Sequence, residues 1–315
     1  MISSIKDNIY RLEIPLQDNT LRSINSYAVL GKGKGLLIDT GLNTDESYDF
    51  FKSLLKEISN EYLKWDFFIT HFHSDHSGLI SRLLSKESNI YYNQRIWNGW
   101  GEIIEYARRN GVPEDTIKYC MKNHFNNRYG HDPLDRTISL EENETIEYGG
   151  YRFKCMSTPG HAAGHQCLYE ADERILISGD HLLGDISPSI QCWDETGNPL
   201  KVYLDNLDKI YPLEVDEVLP GHRRPFNNFR ERIMELKRHH EAREEETKNL
   251  LEKGVGNAFQ IASKMTWGVD YDSWDQFTPI LKWFATGEAI AHLRYLERKG
   301  EIKEINERQE ILYEI

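Results

Sequence analysis

Thr70-His71-Phe72-His73-Ser74-Asp75-His76 follows directly on the apolar run Phe67-Phe68-Ile69. Four side chains able to ligate a metal, His71, His73, Asp75 and His76, stand within six positions. An apolar run that ends in a polar cluster predicts a buried strand running out into a loop. That arrangement puts imidazoles and a carboxylate at the C-terminal mouth of a sheet, where open α/β folds hold their sites. Imidazole combined with carboxylate suits zinc, iron or manganese, whereas calcium takes oxygen ligands.

Three stretches further along repeat the design. His161 stands in Thr158-Pro159-Gly160-His161 after the strand-like Tyr151-Arg152-Phe153-Lys154-Cys155-Met156. Asp180 ends the run Ile175-Leu176-Ile177-Ser178-Gly179-Asp180, and His222 ends Val218-Leu219-Pro220-Gly221-His222. A short apolar segment closed by a Gly or Pro turn presents the next side chain at a strand end. One such histidine is ordinarily a turn residue; the ordered set points to a metal centre.

The series His-x-His-x-Asp-His, Thr-Pro-Gly-His, Gly-Asp and Pro-Gly-His resembles the metallo-β-lactamase superfamily of hydrolases. Ile38-Asp39-Thr40-Gly41 is similar to that family's early strand-turn, and the likeness extends over residues 1–228. The resemblance implies an α/β fold, a four-layer αββα sandwich. It also implies a first metal site of His71, His73 and His161, and a second of Asp75, His76 and His222. Asp180 would bridge both ions. Position 73 is His, so the His-x-Glu-x-Asp variant of the diiron flavoproteins is absent.

Two divalent ions, zinc first with iron or manganese as alternatives, would lie about 3.5–4 Å apart and lower the pKa of a shared water from 15.7 to about 7. The resulting hydroxide would attack a carbonyl or phosphoryl centre while a metal polarises the developing oxyanion. Asp75, set between ligands, is the residue expected to orient the nucleophile and take its proton. Asp39, His165 and His181 are candidates for fixing imidazole tautomers, with an ordinary turn or loop role as the alternative.

Composition agrees with an enzyme of small molecules. The chain has 315 residues, enough for one large domain and a small one. Its 38 basic and 51 acidic residues leave a net charge of −13, which disfavours gripping nucleic acid by bulk electrostatics. Cys120, Cys155, Cys167 and Cys192 show no Cys-x-x-Cys spacing and read as small hydrophobes in a reducing compartment. The opening Met1-Ile2-Ser3-Ser4-Ile5-Lys6-Asp7 lacks the form of a secretion signal, and no apolar stretch reaches the length of a membrane span. The expected location is cytoplasmic.

Beyond the motifs, residues 95–135 form a helical insert. Trp97, Trp100, Ile104 and Ala107 recur at helical spacing, as do Ile117 and Met121, with Gly111-Val112-Pro113 between them. An accessory hairpin packed on the sandwich is the favoured reading; the alternative makes Trp97 and Trp100 a wall for an aromatic or acyl substrate. From residue 229 the chain changes character: a long charged helix, a helix from Ala258, another ending at Lys299-Gly300, and a closing β-hairpin. This order resembles a winged-helix domain, as carried by an endoribonuclease-like branch of the superfamily and by a group of its thioesterases. The expected division is therefore a catalytic domain, 1–228, and a winged-helix-like domain, 229–315. From residue 230 onward there are 14 basic and 17 acidic residues, so no basic face marks it as a nucleic-acid module. A structural or homodimer-forming tail is expected instead. His239-His240, on the charged helix, read as an exposed pair.

After His222, Arg223 and Arg224 stand where many relatives carry Gly. They either anchor an anionic substrate by bidentate hydrogen bonds or pair with acids of the first tail helix. The function expected is hydrolysis of a thioester of the coenzyme A or glutathione type, or of a related ester or lactone. A phosphodiesterase or endoribonuclease acting on single-stranded RNA is the alternative, marked by salt-dependent RNA binding. A non-catalytic metal-containing binding protein is the third. The insert, the tail and the missing export signal speak against a β-lactamase.

Overall fold

Phe67, Phe68 and Ile69 form the end of a strand buried on both faces, which explains why they read as an unbroken apolar run rather than an alternation. Phe67 and Ile69 point to one core and Phe68 to another. The computed structural model describes all residues except 17–20, 60–62, 94–99, 124–129, 131–133, 135, 255 and 269–270. Two compact units form, each from three stretches of chain.

The first unit comprises Met1–Arg95, Phe125–Pro188 and Ile210–Arg232. Its first sheet is ordered β1 (Ile2–Lys6), β2 (Ile9–Pro15), β3 (Ser23–Val29), β4 (Lys34–Ile38), β5 (Lys64–Ile69) and β6 (Ile90–Tyr92). The first four strands meander antiparallel; β4, β5 and β6 run parallel. The second sheet is ordered β11 (Glu217–Pro220), β10 (Ile175–Gly179), β9 (Gln166–Glu170), β8 (Tyr151–Ser157) and β7 (Thr145–Tyr148), with only β10 and β11 parallel.

Between the sheets lies a core to which Tyr27, Val29, Leu36, Ile38 and Phe68 contribute from one side and Phe153, Cys155, Leu168, Ile177 and Leu219 from the other. On the outer face of the first sheet, Leu12, Leu37, Phe67 and Ile69 receive Phe51, Leu54 and Leu55 of α1 (Asp45–Ile58). Thr44 caps that helix by accepting the Ser47 amide, and Asp45 and Glu46 sit in its positively polarised first turn. Two short helices, α2 (Ser74–Ser77) and α3 (Ile80–Leu83), follow β5. The α/β sandwich that the resemblance implies is thus met by this unit's two mixed sheets, with α1 on the outer face of the first.

The second unit comprises Ile96–His124, Ser189–Lys209 and Ile233–Ile315. It holds α4 (Trp100–Arg109), α5 (Glu114–Asn123), α8 (Ala258–Ala262), α9 (Pro279–Lys299) and the hairpin of β12 (Lys303–Glu307) and β13 (Glu310–Glu314), together with most of α6 (Pro199–Ile210) and α7 (Phe229–Leu251). The insert helices therefore group with the tail. Ala107, Val112, Ile117 and Cys120 pack around Trp283, which also stacks on Trp193 at 4.0 Å between ring centroids.

α9 starts on a Thr278 cap with Pro279 in its first turn and stops at Gly300, whose φ of 73° suits glycine. His240 departs from expectation: it is 1% exposed, and its ring is hydrogen-bonded to His292 of α9 at 3.2 Å. The charged residues of α7 concealed one face that α9 covers. Among the described residues no helix is long and apolar enough to cross a membrane, and all four cysteines are buried and unpaired with one another.

Candidate metal centre

The residues singled out from the sequence converge at the ends of five strands. β4 and β5 are adjacent and parallel, so Asp39 and Thr70, which follow them, meet side by side. β10 and β11 are likewise parallel neighbours and deliver Asp180 and His222. β8 runs out into the loop carrying His161. After β5 the chain enters the single helical turn α2, which holds Asp75 and His76.

His71 Nε2 lies 2.9 Å from His73 Nδ1, and His161 Nε2 lies 3.0 Å from the same atom. Next to this trio, His76 Nε2 is 3.5 Å from Asp180 Oδ1 and 3.9 Å from Asp75 Oδ2. His222 Nε2 is 3.3 Å from Asp75 Oδ2 and 3.4 Å from Asp180 Oδ2, and His161 Nε2 is 3.7 Å from Asp180 Oδ2. Asp180 therefore stands between the imidazole trio and the Asp75–His76–His222 group. Three overlapping sets, His71–His73–His161, His71–His76–Asp180 and Asp75–His76–His222, each bring their donor atoms within 4.8 Å of one another.

Hydrogen bonds behind the rings decide which nitrogen faces the centre. His76 Nδ1 lies 2.7 Å from Asp39 Oδ2, and His222 Nδ1 lies 2.7 Å from the Ser23 carbonyl. Both partners only accept, so each Nδ1 carries a proton and each Nε2 is the nitrogen that faces the centre. Thr70 donates its hydroxyl to Asp39 at 2.8 Å and so accepts from His71 Nδ1 at 3.0 Å, with the same consequence. Thr70 and the Ser23 carbonyl were not expected from the sequence. Thr70 sat in the opening motif without a role, and a backbone acceptor leaves no trace in residue type.

Charge is divided across the cluster. Burial, then the neighbouring imidazoles, holds His71 well below its ordinary range. Burial and His161 bring His73 to about 3. On the carboxylate side burial pulls the imidazoles down but is outweighed: Asp180, Asp39 and Asp75 raise His76 well above its usual value, and Asp180 and Asp75 raise His222 to about 10. Burial would raise Asp75 and Asp180, yet His76 and His222 hold both carboxyls below the usual range. The trio offers lone pairs and the acids call for positive charge, the polarity that bound cations satisfy. His76 Nε2, Asp180 Oδ1 and His222 Nε2 are buried without a hydrogen-bond partner, and such groups require one. The donor set of five imidazoles and two carboxylates fits divalent zinc, iron or manganese.

Two glycines make the approach feasible. A Cβ at Gly221 would sit 2.7 Å from His76 Cε1 and closer still to Asp180 Oδ1. A Cβ at Gly179, whose φ is 49°, would sit 2.7 Å from His165 Nε2. Of the expected supports, Asp39 holds His76, whereas His165 meets the Asp180 backbone amide rather than an imidazole. His181 is buried with its ring centroid 6.1 Å from that of His165.

Arg223 adopts a positive φ of 66°, and Asn25 donates to its carbonyl at 2.7 Å. The Arg224 side chain is 79% exposed, 3.6 Å from Asp185 rather than paired with the tail helix. Trp97 falls outside the described residues. Trp100 lies edge-on to Trp283, 5.8 Å between centroids.

A family model described as Metallo-beta-lactamase superfamily matches residues 19–222. The beta-lactamase-like protein 2 homolog of Caenorhabditis elegans is 28% identical over 236 residues, covering 74% of this chain and 67% of that protein. The acyl-coenzyme A thioesterase MBLAC2 of Homo sapiens is 26% identical over 253 residues, covering 74% of this chain and 84% of its own. A crystal structure of a metallo-beta-lactamase family protein from Thermus thermophilus superposes with a TM-score of 0.83 at 28% identity, over 99% of each chain.

Proposed function

Because the chain belongs to the metallo-β-lactamase superfamily, we propose that it is a metal-dependent hydrolase of thioesters of the coenzyme A or glutathione type, or of related esters or lactones. The observation that carries the reading is the convergence of seven ligand side chains on one buried centre, where three inward-facing atoms lack a hydrogen-bond partner. His71, His73 and His161 would hold one divalent ion and Asp75, His76 and His222 a second, with Asp180 between them. Zinc is the first choice and iron or manganese the alternatives. Bound ions supply Lewis-acid polarisation of a carbonyl and lower the pKa of water.

The chain's own residues do the rest. Asp39, Thr70 and the Ser23 carbonyl keep the Nδ1 protons of His76, His71 and His222 turned away from the centre. Asp75 is the more open of the two carboxylates, 16% exposed against 9% for Asp180. Held charged by His76 and His222, it is the residue assigned to receive a proton from incoming water. Arg223 and Arg224 are assigned to the anionic part of the thiol carrier.

The human acyl-coenzyme A thioesterase relative supports the thioester over other carbonyl substrates. The 14 basic against 17 acidic residues from 230 onward support a structural or dimer-forming winged-helix-like tail, residues 229–315, beside a catalytic stretch, 1–228. The test is a paired panel on metal-loaded protein: acyl-coenzyme A and acyl-glutathione beside single-stranded RNA and bis-p-nitrophenyl phosphate. Thioester turnover lost in Asp75→Ala and Asp180→Ala is expected. Cleavage of RNA or the phosphodiester alone, lost in the same variants, would replace this reading with a nuclease.

A further inference from the structure

Behind Asp180 runs a hydrogen-bond chain in which each proton has one workable place. The Asp180 backbone N–H donates to His165 Nε2 at 3.1 Å. A neutral imidazole that accepts at Nε2 carries its proton at Nδ1, so His165 Nδ1–H donates to Thr158 Oγ1, 2.8 Å away. The Cys167 thiol donates to the Ser178 carbonyl at 3.4 Å, a partner that only accepts, and this leaves Cys167 Sγ to accept from the Thr158 hydroxyl 3.1 Å away. The chain begins at Asp180 and ends two residues before it. His165, Thr158 and Ser178 are 0% exposed, so no solvent substitutes for a lost link.

The geometry links two elements that both supply the metal centre. His161 and His165 share one loop, closed by the Thr158 N–H donating to the His165 carbonyl at 2.8 Å. Asp180 follows β10, and only a glycine at 179 lets that strand end come so near the His165 ring. His161 Nε2 and Asp180 Oδ2 face each other at 3.7 Å, so a shift of one element against the other changes the spacing of two candidate ligands directly.

We infer that His165 is a positioning residue: as its neutral Nδ1–H tautomer it anchors the Asp180 backbone to the His161 loop and so sets where the Asp180 carboxylate lies between the two ion positions. This rests on the metal-centre reading given above. It assigns His165 a task distinct from orienting an imidazole ligand, and it explains why a histidine rather than an apolar residue fills a fully buried place.

Asparagine and glutamine separate the two ends of the ring. Gln at 165 reaches as far as Nε2 and retains an acceptor for the Asp180 amide; Asn reaches only as far as Nδ1 and retains only the donor to Thr158. Zinc would be titrated calorimetrically into metal-stripped full-length protein, with thermal melts recorded in chelator alongside. In His165→Asn the weaker of two zinc affinities should fall about 10–100-fold, as for other residues that orient ligands from behind. His165→Gln should stay close to wild type in zinc binding, although both variants melt earlier.

Two wild-type affinities retained in His165→Asn, or equal losses in both variants, would overturn the inference and leave His165 a packing residue. Should the Asn variant not fold, Thr158→Val tests the chain from its other end. It should weaken the second ion while Thr158→Ser keeps it, and two unchanged affinities in Thr158→Val would refute the link. A wild-type protein that takes up no zinc, iron or manganese defeats the metal-centre reading itself, and this inference with it, before any variant is compared.

Discussion

Asp39→Asn changes one atom and should cost the centre more than the fold. Asp39 is 2% exposed and accepts three hydrogen bonds, from the Thr70 amide at 2.8 Å, the Thr70 hydroxyl at 2.8 Å and His76 Nδ1 at 2.7 Å. In the variant, Oδ1 keeps the Thr70 amide, but an NH2 group faces two donors. The least costly repair strips the proton from His76 Nδ1 and fixes one on Nε2, where it points at Asp180 Oδ1, 3.5 Å away. Stability then falls by about one charged hydrogen bond, roughly 1.5–3 kcal/mol. The lone pair facing the centre is gone, however, and the affinity for the second ion should drop about 10–100-fold.

Asp39→Ala behaves in the opposite sense. It leaves three buried donors unpaired at about 1–3 kcal/mol each, and its positive φ of 58° suits Asn better than Ala, yet His76 keeps the freedom to present Nε2. Urea unfolding in chelator should rank wild type above Asn above Ala. Zinc titration should rank wild type above Ala above Asn. If both assays rank the two variants in the same order, the tautomer argument is wrong.

Gly221→Ala should destabilise by about 1–3 kcal/mol through overpacking and reduce bound zinc below two per chain by metal analysis, since the new Cβ intrudes on Asp180 and His76. Chelation should abolish turnover and lower the melting temperature, because an ion present at 100 times its Kd contributes about 2.7 kcal/mol; a melt indifferent to chelator would remove the ions from the fold's energetics. Acid should unfold the protein early through His240 and His292, both lowered by burial, the latter to about 3. Their stability is complete above the unfolded value near 6.5 and is lost as pH falls, at about 1.4 kcal/mol per unit for each. Glu288, raised by burial to about 7, acts in the opposite sense between about 4.5 and 7 and cancels roughly one of them; His292→Asn should accordingly flatten the slope of urea midpoint against pH between 6.5 and 5.

What could be read from residue types is what burial writes into them. β5, β10 and β11 are covered on both faces, so each appears as a continuous apolar run, and the first polar side chain beyond it is placed at a sheet's end. That is why His71, Asp180 and His222 were legible one at a time and convergent when taken together. Direction of hydrogen bonding is not written there. The acceptor for His222 is the Ser23 carbonyl, a group that every residue carries, and the donor to His165 is the Asp180 amide, which every residue but proline carries. Thr70 was in plain view, yet its task depends on Asp39, thirty-one positions earlier, already claiming its proton. His240 misled because α7 is charged on most of its surface, and its covering partner His292 lies fifty-two residues away on a helix buried on nearly every side. Trp283 likewise gathers Ala107, Ile117 and Cys120 from an insert more than 150 positions earlier, and nothing local in either stretch names the other. Periodicity reports that a face is covered; only the assembled chain tells which segment covers it, and at a metal centre that difference decides which nitrogen of a histidine points inward.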